Sequence, residues 1–298
     1  MQTLVVILGP TGVGKTDLCI NIAKHLGCEI INCDSRQFFR EIPIGTAAPT
    51  AEQQQQVRHY FVGNLSVDDY YSASEYEQDV LHFLEKQDKD ATFLLTGGSM
   101  MYLDAVCNGI DEMPTIDESI RTKLKNRLEK EGLEPLVAEL KALDPTHWNI
   151  VDKKNPRRIL HALEVCLQTG QPYSSFMAKE RPKRPFKVIK IGLTRPREEL
   201  FARINERVVQ MIQMGLEEEA RSVYHKRGLN SLNTVGYKEM FSYFDGEITK
   251  EEAIRKIQSN SRHYMKKQET WFKRDKDIKW FNPKEYKEII NYIDISLK

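Results

Sequence analysis

Thr3-Leu4-Val5-Val6-Ile7-Leu8-Gly9-Pro10-Thr11-Gly12-Val13-Gly14-Lys15-Thr16 is the stretch from which the rest of this chain is read. An apolar run leads into a glycine-rich loop. Residues 17–26 follow with Leu18, Ile22 and Leu26 at helical spacing. Buried strand, glycine loop and amphipathic helix form the setting in which G-x-x-x-x-G-K-[ST] binds phosphate. Glycines let successive backbone N–H groups converge on one anion, and a helix starting near Gly14 adds its positive end. Lys15 supplies a mobile charge for the outer phosphate, and the Thr16 hydroxyl can ligate Mg²⁺. A phosphate or pyrophosphate is expected along Gly9, Pro10, Thr11, Gly12, Val13, Gly14, Lys15 and Thr16. The loop alone does not say whether it belongs to a nucleotide.

At 298 residues the chain has room for one large domain or two ordinary ones, and its 40% hydrophobic content can build a real core. No apolar run approaches the roughly 20 residues that span a bilayer. The first strand begins at residue 3, so no signal peptide is expected. Cys19, Cys28, Cys33, Cys107 and Cys166 make no C-x-x-C pair and no metal-ligand spacing with histidine, which fits a reducing, cytoplasmic setting. The net charge of +1 means that any polyanion partner must be met by local clusters.

A second strand is expected over 28–33, ending in Asp34-Ser35-Arg36-Gln37. Strand carboxyl ends face the ligand crevice in open α/β sheets. Asp34 is therefore read as a metal ligand, a general base or a helix N-cap. Residues 41–70 read as a long, partly irregular connection. Ser74 and Glu77 have capping-box spacing before a helix that runs to about residue 85. A third strand over 91–96 ends in Gly97-Gly98-Ser99, which is either a tight turn or another anion-receptive helix start. Residues 117–170 show helical periodicity and no strand, with breaks at Asp144-Pro145 and Asn155-Pro156. The predicted architecture is an α/β core of P-loop NTPase type, 1–114 and 187–298, with a mainly parallel sheet flanked by helices. An all-helical insertion fills 115–186, and Arg181-Pro182-Lys183-Arg184-Pro185 reads as a stiff basic linker. A fourth strand over 186–194 precedes a helix carrying Arg203 and Arg207 one turn apart, either a phosphate clamp or paired surface charges. The last long helix interleaves Arg262, Lys266 and Lys267 with Tyr264, Trp271 and Phe272, the footprint of single-stranded nucleic acid binding or a solvated basic face. A closing strand is expected at 278–281.

As a set, these motifs resemble the tRNA dimethylallyltransferases of bacterial type. The resemblance is carried by 9–16, Asp34-Ser35-Arg36-Gln37, Ile44-Gly45-Thr46-Ala47 and Gly97-Gly98-Ser99-Met100-Met101-Tyr102. It continues through Asn155-Pro156-Arg157-Arg158, Val235-Gly236-Tyr237 and 262–272. The late run with Lys266-Lys267-Gln268 and Thr270-Trp271-Phe272 is far more selective than the phosphate loop. Ala48 departs from the family's usual lysine, His161 from arginine and Ser99 from threonine. No Cys/His ligand spacing follows residue 270, unlike eukaryotic members.

The resemblance implies transfer of a dimethylallyl group from dimethylallyl diphosphate to an exocyclic amine in tRNA. The target is the adenosine 3′-adjacent to the anticodon, in tRNAs reading codons that begin with U. The products would be isopentenyladenosine and diphosphate. Asp34 would take the amine proton, while Lys15, Thr16 with Mg²⁺, Arg203 and Arg207 would stabilise the departing diphosphate. Asp34, Ser35, Arg36 and Gln37 would meet the target base, and Ser99 and Arg121 would flank the reaction channel. Arg157, Arg158, Ile159, Leu160 and His161 would grip the anticodon stem-loop, as would Asn233, Thr234, Val235, Gly236, Tyr237 and Lys238. Arg262, Lys266 and Lys267 would add RNA contacts. A monomer with no membrane association is expected. A small-molecule kinase and a non-catalytic RNA-binding module are the alternatives.

Overall fold

The computed structural model describes residues 1–111, 113–177 and 182–298. The chain runs β1 (Thr3–Leu8), α1 (Lys15–Leu26), β2 (Glu29–Asn32), α2 (Pro43–Thr46), α3 (Ala51–Gln56), β3 (His59–Tyr60), α4 (Ala73–Glu85), β4 (Thr92–Gly97) and α5 (Met100–Asn108). Four helices follow: α6 (Glu118–Glu131), α7 (Glu134–Leu143), α8 (Pro145–Ile150) and α9 (Pro156–Thr169). The sheet resumes with β5 (Lys187–Leu193), α10 (Arg197–Gln213), α11 (Leu216–Val223), α12 (Tyr237–Phe244), α13 (Lys250–Phe272), β6 (Lys279–Phe281) and α14 (Tyr286–Leu297). Among the described residues no helix is long and apolar enough to cross a bilayer.

The six strands form one sheet in the order β3-β2-β4-β1-β5-β6, with every pair parallel. β1 sits inside it, paired with β4 from Thr3↔Thr92 to Leu8↔Gly97 and with β5 from Thr3↔Lys187 to Leu8↔Gly192. Alternation along β1 sends Val5 and Ile7 to one face, against Ile22 of α1, Leu200 and Ile204 of α10 and Ile289 of α14. Leu4, Val6 and Leu8 go to the other, against Tyr76 and Val80 of α4, Leu103 of α5 and Phe272 of α13. Both faces are covered, and this is why β1 reads as an unbroken apolar run. A third cluster gathers Val208, Leu216, Tyr237, Met240 and Ile257 from α10 to α13.

Two compact units result: Met1–Cys107 with Lys183–Lys298, and Asn108–Pro182. The expected insertion, 115–186, is thus displaced toward the amino terminus. Phe186 is buried in the sheet unit, where Arg184 is paired with Glu77 and with the Ala105 carbonyl. Arg184 is therefore pinned in place and is not part of a free basic linker; Arg181, read into the same linker, lies outside the described residues. In the helical unit Leu124, Leu136, Leu140, Ile159 and Leu163 make the core. Each such burial stabilises by about 2 kcal/mol relative to exposure. The two proline breaks are helix starts. Asp144 accepts from His147 N (2.9 Å) at α8, and Asn155 accepts from Arg158 N (3.4 Å) at α9.

Two local expectations are corrected. The capping box of α4 is Ser72 with Glu75, two residues earlier than read: Ser72 Oγ accepts from Glu75 N (3.2 Å), and Glu75 accepts from Ser72 N (2.7 Å). Glu77 is instead buried against Arg184. Residues 41–70 hold α2, α3 and the edge strand β3, elements of two to six residues too short to show a period.

One close approach sets the carboxyl edge of the sheet. A Cβ on Gly97 would lie 1.8 Å from the Cys33 carbonyl oxygen. Gly97→Ala is expected to cost about 3 kcal/mol or more, since two strand backbones would have to part. Urea unfolding measures this, and a loss below about 1 kcal/mol would show that the edge has slack.

Candidate active site

The phosphate loop leaves β1 at Gly9 and enters α1 at Lys15. Gly14 is the N-cap, with φ +99° and no side-chain cap, a left-handed conformation that suits glycine. The N–H groups of the first turn of α1 therefore face the loop. Val13 is fully buried, and its N–H donates to the Pro10 carbonyl (3.3 Å). Lys15 Nζ donates back to the carbonyls of Gly9 (2.8 Å) and Pro10 (3.1 Å).

Three arginines hold the loop, Arg195 from the connection after β5 and Arg203 and Arg207 from α10. Arg195 Nε donates to Val13 O (2.8 Å), Arg203 Nε to Gly12 O (2.7 Å) and Arg207 Nη1 to Thr11 Oγ1 (3.2 Å). A Cβ on Gly14 would meet Nη2 of both Arg195 and Arg203 at 3.6 Å, so both guanidinium groups lie over the start of the helix. Arg195 is also paired with Glu199. Arg203 is exposed on the outer side. Arg207 is the more buried, its pKa lowered by burial and partly restored by Asp34.

Asp34 lies just past β2. Its Oδ1 accepts from Arg36 N (3.1 Å) and its carbonyl from Gln37 N (3.0 Å), which makes a turn and not the start of a helix. The turn is fastened on three sides. Ser99 Oγ accepts from Ser35 N (2.7 Å) and donates to Ser35 Oγ (3.0 Å). Arg36 Nη1 donates to the carbonyls of Asn230 and Ser231, both at 3.0 Å. Gln37 Nε2 donates to the carbonyls of Thr46 and Ala47, both at 3.0 Å. The 44–47 segment is in turn held by Glu219, which accepts from Ile44 N and Gly45 N at 2.8 Å each.

Asp34 acts electrostatically on the cradle. Burial pushes the Lys15 ammonium down to about 8, with Asp34 opposing that shift and Arg207 adding to it. On α13, Gln268 Oε1 accepts from Thr11 N (2.8 Å) and its Nε2 donates to Gly98 O (2.8 Å), while Tyr264 OH reaches the same carbonyl (3.3 Å).

The structure thus gathers 9–16, Asp34, Ser35, Arg36, Gln37, Ser99, Arg203 and Arg207 at one edge of the sheet. Other expected contacts lie elsewhere. Ile159 is fully buried in the helical core, so its side chain is removed from any RNA surface. Tyr237 is fully buried too, its hydroxyl donating to Glu219 (2.5 Å) and to Ile42 O (3.2 Å). It braces the 44–47 segment from below. Asn233 and Lys238 are exposed, whereas Thr234 and Val235 are half-buried and Gly236 is buried. Arg262 is engaged with Asn205 (2.5 Å), and both Arg262 and Lys266 lie over the Phe201 ring, at 5.8 and 5.4 Å. Lys267 is exposed. In the helical unit Arg157, Arg158 and His161 are exposed, Leu160 is half-buried, and Arg121 pairs with Glu118 (3.6 Å) and Glu164 (4.0 Å). Arg195, Gln268 and Glu219 enter the site with no role expected from the sequence, and Tyr264, read among the aromatics of a nucleic-acid footprint or solvated face, enters it through its hydroxyl on Gly98 O. Arg195 carried a readable signal, an arginine just past a strand end. The other three owe their places to distant partners.

A glycine loop of this kind, leaving an inner strand of an all-parallel sheet, defines a P-loop fold. Residues 37–275 match the family model for IPP transferase. Among curated proteins the chain is 59% identical over 294 residues to tRNA dimethylallyltransferase 1 of Phocaeicola vulgatus, covering 98% of each. Against the protein of that name from Bacteroides fragilis it is 56% identical, covering 100% of this chain and 99% of the relative. A crystal structure of the full-length tRNA isopentenylpyrophosphate transferase from Bacillus halodurans superposes with a TM-score of 0.73 at 34% identity, covering 100% of this chain and 97% of that one. A eukaryotic dimethylallyltransferase acting on tRNA, 22% identical, shares the fold, with a TM-score of 0.78 over 95% of this chain and 74% of that one. The chain belongs to the IPP transferase family.

The low Lys15 value has a measurable sign. An anion in the cradle raises it, so a diphosphate monoester bound at pH 9 should bring about one proton with it as Lys15 recharges. Calorimetry in two buffers of different ionisation enthalpy reads the uptake. Absence of uptake, or its survival in Lys15→Met, would show that another group titrates.

Proposed function

We propose that this chain transfers a dimethylallyl group from dimethylallyl diphosphate to the exocyclic amine of the adenosine 3′-adjacent to the anticodon. The tRNAs are those reading codons that begin with U. The observation that carries this reading is the Asp34 carboxylate, placed beside a cradle made by Lys15, Arg195, Arg203 and Arg207. The amine nitrogen attacks the first carbon of the donor as the carbon–oxygen bond to diphosphate breaks. That bond's electron pair leaves on the diphosphate oxygen, and the amine proton passes to Asp34. The cations assist because charge grows on the leaving oxygen in the transition state. Membership of a family whose members are named for this transfer supports the chemistry.

Ser35, Arg36, Gln37 and Ser99 stand around Asp34 and would line the place where the base enters. An anticodon-loop adenosine must leave its stack to arrive there, at a cost of a few kcal/mol that edge and stacking contacts offset. Arg157, Arg158 and His161 on the helical unit, with Asn233, Lys238, Lys266 and Lys267 on the sheet unit, are exposed groups suited to the stem-loop backbone.

Among the described residues no group of three or more His, Cys, Asp or Glu side chains could hold a metal. Thr16, exposed in the first turn of α1, offers one hydroxyl beside the cradle. Magnesium, which commonly takes one or two protein ligands and the rest from phosphate and water, fits such a donor set. Held by Thr16 and the diphosphate, it would neutralise the leaving group. One chain suffices for the reaction as drawn. The five free cysteines suit the cytoplasm, where we place the enzyme as a monomer.

The test is transfer of radiolabel from dimethylallyl diphosphate to undermodified tRNA with Mg²⁺. Asp34→Ala is expected to lower turnover about 10²- to 10⁴-fold, with the donor KM changed little. A folded wild type that transfers nothing, yet hydrolyses ATP or phosphorylates a small acceptor, would replace this reading with a kinase.

A further inference from the structure

Gln268 is 1% exposed and carries no charge, yet it joins two parts of the site that meet nowhere along the chain. Its Oε1 takes the N–H of Thr11 in the phosphate loop, and its Nε2 gives a hydrogen bond to the carbonyl of Gly98 in the turn after β4, both at 2.8 Å. From Gly98 the chain passes directly to Ser99, which is bonded through Oγ to Ser35, the residue after Asp34. A Cβ on Gly98 would lie 2.7 Å from Gln268 Nε2 and 3.5 Å from Asp34 Oδ2, so amide and carboxylate crowd the same turn. α13 is itself anchored here. Tyr264, one helical turn before Gln268, shares the Gly98 carbonyl, and Glu269, one residue after it, pairs with Arg197 at the start of α10 (3.3 Å).

We propose that Gln268 is a positioning residue that sets the separation between the leaving-group cradle and the proton acceptor Asp34. The inference rests on the transfer reaction proposed above. In that reaction the attacking nitrogen must lie between a carbon held by the diphosphate on one side and a carboxylate on the other. The two halves are borne on different strands, β1 and β2, with β4 between them. A planar amide is the side chain that accepts and donates from one rigid group, so it can brace both at once. Misplacing reacting groups by about 1 Å costs on the order of 100-fold in rate. Gln268 touches neither substrate in this scheme. Its effect therefore falls on the chemical step and not on the affinity for either substrate.

Three variants separate this role from plain stability. Gln268→Met keeps the volume and loses both bonds, Gln268→Glu keeps the acceptor and loses the donor, and Gln268→Asn keeps both atoms but withdraws them by one methylene. Label transfer is measured at saturating donor and tRNA, with wild type alongside. Met and Asn variants are expected to lose about 30- to 100-fold in kcat, with both KM values and the affinity for inorganic pyrophosphate within about threefold of wild type. Gln268→Glu should fall at least as far. Wild-type turnover in Gln268→Met, or a loss carried by the donor KM with kcat unchanged, would overturn the proposal. If Gln268→Met does not fold, Gln268→Asn carries the test. A wild type that transfers no label would remove the transfer reading, and the clamp is then judged by crystallography. The gap between Thr11 N and Gly98 O should widen in Gln268→Asn, and an unchanged gap would overturn it.

Discussion

The backbone of Gly97 presses against the carbonyl of Cys33 so closely that no side chain fits between them, and the site is built outward from that contact. Cys33 N donates to Thr96 O at 2.6 Å, and Ser99 N returns a bond to Cys33 O at 3.3 Å. Two adjacent parallel strands therefore end together and turn the same way. One turn carries Asp34 and the other Gly98 and Ser99, and both are delivered beside the loop that leaves β1. Parallel strands place such ends on one edge as a matter of topology. The close approach converts that common edge into a shared wall, tight enough for a Ser35–Ser99 pair and a single buried amide to hold it.

The cradle depends on a second constraint, the cost of holding positive charge out of water, which falls on Lys15, Arg195 and Arg207 while Arg203 stays exposed. Lys15, Arg195, Arg203 and Arg207 converge on eight residues of loop. Each is satisfied by an oxygen of that loop, three of the four by backbone carbonyls. The cations consequently brace the loop while they wait for an anion. Burial lowers the Lys15 pKa to about 8, and an anion placed in the cradle would restore the charged ammonium. Positioning and electrostatics are here the same set of contacts.

The same economy explains residues whose polarity suggested a surface role. Tyr237 is buried with its hydroxyl on Glu219, Glu219 holds the N–H groups of Ile44 and Gly45, and the segment beyond accepts from Gln37. A tyrosine read as an RNA contact is instead a brace beneath the wall of the site. Arg184, read as part of a basic linker, is closed into the core of the sheet unit against Glu77. In both cases a lone polar side chain in the sequence looks the same whether it faces solvent or a buried partner.

The sequence by itself determined the glycine loop, the strand and helix on either side of it, the all-helical character of the middle segment and the breaks at Asp144 and Asn155. These are local properties: a run of apolar residues, glycines at fixed offsets, a 3.6-residue period and prolines that cannot continue a helix. It also placed Asp34 at a strand end, where topology alone directs it to the crevice. Tertiary structure decided the rest. Thr11 and Gln268 are 257 positions apart, and Ile44 and Glu219 are 175 apart. No spacing rule relates such pairs. Their meeting follows from how α13 and α11 pack, and a glutamine or a glutamate carries in its own chemistry the capacity to bond but not the identity of its partner.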